Sequence, residues 1–145
     1  MELKQIVCAA LGALGGAVAA AFGGWSGALT TLLLFMAADY VTGLAVAGIF
    51  HASRKTPGGG LESRAGWKGL ARKGVTLLVV LVACRLDLLL GVHYVRDATV
   101  VGFCANETLS IVENAALMGV PLPAAVQRAV EVLRDKAEKG GGEHD

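Results

Sequence analysis

The chain has 145 residues, 54% hydrophobic and 17% charged, with a net charge of +1. A soluble domain is about 45–50% apolar and about 25% charged, and a chain this short cannot bury nearly all of its sequence, so a water-soluble globule is excluded. The near-zero charge removes bulk attraction to nucleic acid, and the three cysteines and three histidines lack metal or catalytic spacing, so no enzyme activity, metal or cofactor is expected.

Four apolar segments, about 6–24, 27–50, 74–92 and 98–120, each approach the ~20 residues that cross ~30 Å of hydrocarbon. Period-two alternation is absent, and backbone groups in lipid must be paired, so helices are expected. The first segment places Gly12, Gly16, Ala20 and Gly24 at spacing four, beside Ala9, Ala13, Ala17 and Ala21. Such a small-residue ridge admits close helix contact, within one chain or between copies. Gly43 in the second segment is assigned the same packing role. Ala19 to Ala21 also fit a leader-cleavage pattern, but the Gly-rich run and the span that follows at once argue against one. The second segment is interrupted by Asp39, and the third carries Arg85 and Asp87.

Between the second and third segments, the 51–73 linker holds Arg54, Lys55, Arg64, Lys68, Arg72 and Lys73 against one acid, Glu62. The positive-inside rule places this linker in the cytoplasm, and counting spans places both termini there too. Its cations are expected to meet anionic headgroups of the inner leaflet, each contributing about 1 kcal/mol. Thr56 to Gly60, with one Pro and three Gly, reads as a flexible loop. Trp25 and Trp67 flank spans, as interfacial anchors do.

The fourth segment is the polar one. Asn106, Glu107, Ser110, Glu113 and Asn114 fall within an arc of roughly 120° at helical spacing. A charge near the bilayer centre costs roughly 2.5–3.5 kcal/mol on insertion scales, so these groups must face protein, water or one another. Rise along each helix puts Asp39, Arg85 and Glu107 at one depth. The expected charge cluster is therefore Asp39, Arg85 and Asp87, with Arg85 contacting Asp39 or Glu107. Three roles stay open for the polar face: interhelical glue, a wet lumen, or a proton or ion relay. Pro121 and Pro123 end the helix, and residues 123–145 form an amphipathic cytoplasmic tail with Val126, Ala129, Val130, Leu133 and Ala137 on one face and a frayed end from Gly140.

At these residues the chain resembles the holins of phages and prophages, small membrane proteins of lysis and toxin secretion. The carrying pieces are Asp39-Tyr-Val-Thr-Gly43, Ser63-Arg-Ala-Gly-Trp-Lys-Gly69 followed by Arg72-Lys73, then Leu86-Asp87. The most specific is Asn106-Glu107-Thr-Leu-Ser110-Ile-Val-Glu113-Asn114, closing with Gly119-Val-Pro121-Leu-Pro123. The resemblance implies a protein that oligomerises with itself in the bacterial cytoplasmic membrane and opens lesions for an endolysin or toxin. Its implied architecture is all-α, with four spans and a short amphipathic tail. The rivals are a small ion-coupled transporter or channel subunit and a non-permeating, antiholin-like regulator.

Overall fold

The computed structural model describes residues 2–141, with five α-helices and, among those residues, no strand. They are α1 (Leu3–Ala21), α2 (Gly27–Gly48), α3 (Ser63–Leu90), α4 (Val95–Leu117) and α5 (Ala124–Gly141). α4 is the hub: α2 packs along it most extensively, α3 packs on it next, and α5 touches it alone. Local chemistry sets the breaks. Ser26 Oγ accepts the Leu29 N–H at 3.2 Å and starts α2. Gly91 ends α3 at φ 67°, a left-handed conformation that a residue without Cβ adopts freely.

Helical spacing draws one seam through the bundle. On α2 the inward line runs Leu29, Leu32, Met36, Asp39, Gly43, Val46, in steps of three and four. On α4 it passes Val100, Glu107 and Asn114, and on α3 Lys73, Val80 and Asp87, each in steps of seven. The end of the seam nearest the α3–α4 turn is apolar: Leu29, Leu32, Met36, Val80, Cys84 and Val100 form the buried cluster. Further along, the same line turns polar.

Two helices, α1 and α2, are long and apolar enough to cross a membrane, where four were expected. α3 and α4 have 28 and 23 residues, enough for ~42 and ~35 Å at ~1.5 Å per residue. They fall short on composition, because Lys73, Arg85 and Asp87 lie on one and Arg96, Asp97, Glu107 and Glu113 on the other.

α3 also begins at Ser63, well before the apolar run that starts at Gly74. Arg64, Lys68, Arg72 and Lys73 are therefore helical, and the true connection is short. That connection is compact rather than loose. Ala52 N–H donates to Val46 O and Ser53 N–H to Gly59 O, both at 3.0 Å, and Thr56 Oγ1 donates to Gly60 O at 2.8 Å. Gly59, at φ 72°, lies so close to His51 O that a Cβ would collide with it.

Among the described residues α1 stands apart, with none of its residues buried and its only helix contact a short one with α3. A Cβ at Gly12 or Gly16 would meet nothing within 4 Å, and Ala20 is exposed, so the ridge has no partner within the described chain. Gly24 is not part of the ridge. It sits in the α1–α2 turn at φ 93°, where glycine is needed for the backbone and not for helix packing. Gly43 does pack: a Cβ there would lie 3.8 Å from Asn114 Nδ2. On α5, Val126 and Val132 are exposed. The side chains of Leu133 and Ala137, part of the expected apolar stripe, and residues 142–145 lie outside the described residues, while Gly140 belongs to α5.

Candidate functional site

The polar stretch of the seam is built by three helices. Lys73 Nζ from α3 sits 2.7 Å from Asp39 Oδ2 of α2 and 2.7 Å from Glu107 Oε2 of α4. The three side chains are only 15%, 11% and 13% exposed. One ammonium thus serves two carboxylates. Short charge-assisted bonds of this kind are about twice as strong as neutral ones, and burial makes removal of the shared partner costly.

Two helical turns below Glu107, Asn114 completes the layer. Its Nδ2 donates to Asp39 Oδ1 at 3.2 Å, to Asp39 O at 3.3 Å and to Thr42 Oγ1 at 2.9 Å. The close passage of Gly43 lets the amide reach the α2 backbone. Ser110, one turn from Glu107, borders the same cavity as Asp39.

The expected charge cluster is corrected in two places. Arg85 is exposed and makes no ion pair among the described residues. It lies twelve positions beyond Lys73, ~18 Å along the helix and about a third of a turn off the inward face. Asp87 is on the inward face but does structural work, accepting the Val95 N–H at 2.9 Å and the Arg96 N–H at 3.0 Å. A carboxylate there meets otherwise unpaired donors at the positive end of α4. Lys73 is likewise not a headgroup contact, since its ammonium is enclosed by the two acids.

Arg96 is a residue the sequence reasoning missed. Its Nη1 donates to Phe22 O at 2.7 Å and Gly24 O at 3.3 Å, and Cys84 Sγ donates to the same Phe22 carbonyl at 3.1 Å. These bonds tie the α1–α2 turn to the bundle. Cys8 is exposed, Cys84 buried and Cys104 half-buried, all as free thiols. No group of side chains able to hold a metal occurs among the described residues.

The five residues of the expected polar face, Asn106, Glu107, Ser110, Glu113 and Asn114, border one cavity of about 680 Å³ with the ion triad. Asn106 and Glu113 are exposed, Glu107 and Ser110 half-buried, and Asn114 buried. The opposite wall is basic: Arg54 and Lys55 from the connection, Lys68 and Arg72 from α3. Arg64 does not border it. On the far side of the triad the seam is the dry apolar cluster, so the cavity ends there.

A bundle with two apolar, membrane-length helices and a charged layer held between helices belongs to the class of small helical membrane proteins. The chain belongs to the bacteriophage holin family, matched over residues 16–135. It is 36% identical over 106 residues to a probable holin of Bacillus phage phi105, covering 72% of this chain and 73% of that one. An uncharacterized protein of Clostridium perfringens is 37% identical over 135 residues, covering 90% of this chain and 94% of its own length. One of Listeria monocytogenes is 35% identical over 115 residues, covering 79% and 76%. No solved structure matches the chain.

Proposed function

We propose that this protein is a non-enzymatic holin of the bacterial cytoplasmic membrane, which assembles with its own copies into lesions that collapse the membrane potential and release a muralytic enzyme or a toxin. In this reading α3 and α4 cross the bilayer with α1 and α2, because Lys73 and Glu107 turn inward onto Asp39 and one another, while the exposed Arg85, five residues from the end of α3, snorkels to the outer interface. Both termini and the basic connection then lie on the cytoplasmic side. Lys73, Asp39 and Glu107 act as an internal lock on α2, α3 and α4. Asn106, Ser110 and Glu113 form the wall that becomes wet when copies assemble, and the unpartnered α1 ridge offers a surface for a neighbouring copy.

The observation that carries the proposal is the gathering of Asn106, Glu107, Ser110, Glu113 and Asn114 of α4 onto one cavity beside the ion triad. An ion-coupled transporter fits less well, since the two central carboxylates already share a lysine.

The test is inducible expression in bacteria with and without a cytoplasmic muralytic enzyme, following membrane potential and culture density together. Potential should collapse in both strains, and density should fall only where the enzyme is present. Asn106→Leu with Glu113→Leu leaves the lock intact and should delay or abolish both events at unchanged membrane levels. Cells that keep their potential while the wild-type protein accumulates would point to an antiholin-like regulator instead.

A further inference from the structure

The cavity has more cation on its walls than its own acids use. Among the described residues, five cations border it: Arg54, Lys55, Lys68, Arg72 and Lys73. Four acids do so as well: Asp39, Glu62, Glu107 and Glu113. Asp39 and Glu107 are already committed to Lys73. That leaves four cations against two acids around the mouth, a local surplus of positive charge in a chain that is nearly neutral overall.

The four cations are exposed and well placed. Lys68 and Arg72 are four residues apart, so they stack on one face of α3. Arg54 and Lys55 sit on a connection fixed by its own hydrogen bonds. Apolar surface from Leu44, Leu61 and Leu117 borders the same space. A ligand that fits has one anionic end and an apolar body. The volume, about 680 Å³, lies in the ~300–1,000 Å³ range of sites that enclose small molecules.

We propose that this cavity is a specific binding site for the phosphodiester headgroup of an anionic phospholipid. Arg72 and Lys68 hold the phosphate, Arg54 and Lys55 close over it, and the glycerol and first acyl carbons lie on the leucines. Basic pockets between membrane helices on the cytoplasmic side bind such headgroups. The proposal rests on the cytoplasmic placement of this end under the proposed function. It differs from diffuse attraction to the inner leaflet, which depends on charge near the surface and not on a cavity. Arg64 separates the two: it is exposed on the same end of α3, yet lies outside the cavity.

The experiment uses the full chain purified in a mild detergent with phosphatidylglycerol or phosphatidylcholine, with retained lipid counted by native mass spectrometry. The wild type should retain phosphatidylglycerol selectively. Lys68→Gln and Arg72→Gln should each cut retention about tenfold, as expected for losing a charge-assisted hydrogen bond. Arg72→Lys should retain most of it, and Arg64→Gln, whose exposed charge lies outside the cavity and is screened in a detergent micelle without an anionic leaflet, should stay within about twofold of wild type. Helical content by circular dichroism verifies that each variant is folded. Equal losses for Arg64→Gln and Arg72→Gln, or equal retention of both lipids, would overturn the site. Displacement by free glycerol phosphate at matched concentration would assign the phosphate chemistry to a soluble ligand and overturn the lipid. Permeabilisation is not read, so failure here leaves the lysis proposal untouched, and failure of lysis leaves this result standing.

Discussion

Lys73→Met is expected to destabilise the folded bundle by about 3–5 kcal/mol, the usual cost of removing one partner from a buried charge cluster. The substitution keeps the length and apolar stem of the side chain and deletes only the ammonium. Asp39 and Glu107 are then left facing each other, no farther apart than the two 2.7 Å contacts laid end to end. Like charges at that separation repel, and little solvent reaches them to screen it. The single neutralisations should behave differently. Asp39→Asn or Glu107→Gln leaves one lysine with one carboxylate, a balanced pair, so each should cost under about 1.5 kcal/mol. Lys73→Met combined with Glu107→Gln should recover much of the loss. Thermal unfolding in detergent, followed by circular dichroism, reads all four variants. Equal effects for the lysine and the two acids would mean that the charges are solvated separately.

Leu32→Ala is expected to cost about 2 kcal/mol. Leu32 is 0% exposed and meets Met36, Val80 and Val100 in the apolar end of the seam. In soluble cores such a truncation costs about 2–5 kcal/mol, part from lost transfer free energy and part from the void. Lipid tails solvate separated helices as well as leucine does, so the transfer part shrinks and the void part dominates. Leu34→Ala is the control. Leu34 is 64% exposed and points off the bundle, so its change should stay within about 0.5 kcal/mol. The same melts decide this, and matching losses at 32 and 34 would show that the α2–α4 seam is not a packed interface.

The polar face of α4 was legible from spacing alone, because five polar residues inside an apolar run at helical period leave few other readings. The lysine that meets them was not. Lys73 stands at the last position before an apolar run, so hydropathy cut it off from the helix and assigned it to a loop. The seven-residue steps Lys73, Val80, Asp87 and Val100, Glu107, Asn114 were the available signal, since they put both charges on core-facing lines. Arg85 misled because depth was counted from Gly74, whereas α3 begins at Ser63 and brings Lys73 to the level of Asp39 and Glu107. Asp87 looked like an intramembrane charge, but helix ends carry unpaired N–H groups that an acid from the preceding helix can satisfy. Arg96 was hidden in a turn where nearby acids made the local charge look neutral. The compact fold of the connection depends on backbone bonds around Gly59, which composition does not reveal. The α1 ridge admitted contact within one chain or between copies, and within the described chain Gly12 and Gly16 meet no partner.

The central claim is that the polar groups of α4 are sheltered by protein and by a cavity open to the cytoplasm, while the opposite face of α4 meets lipid. The direct measurement is labelling of single engineered thiols in membrane vesicles with a charged, membrane-impermeant maleimide, in a chain whose Cys8, Cys84 and Cys104 are replaced by Ala. Asn106→Cys and Glu113→Cys should react in inside-out vesicles and stay unlabelled in right-side-out ones. Val101→Cys, at a position 64% exposed on the outer surface of the bundle, should react in neither. Labelling of position 101 with positions 106 and 113 inert would put the hydrophilic stripe among acyl chains and contradict the account.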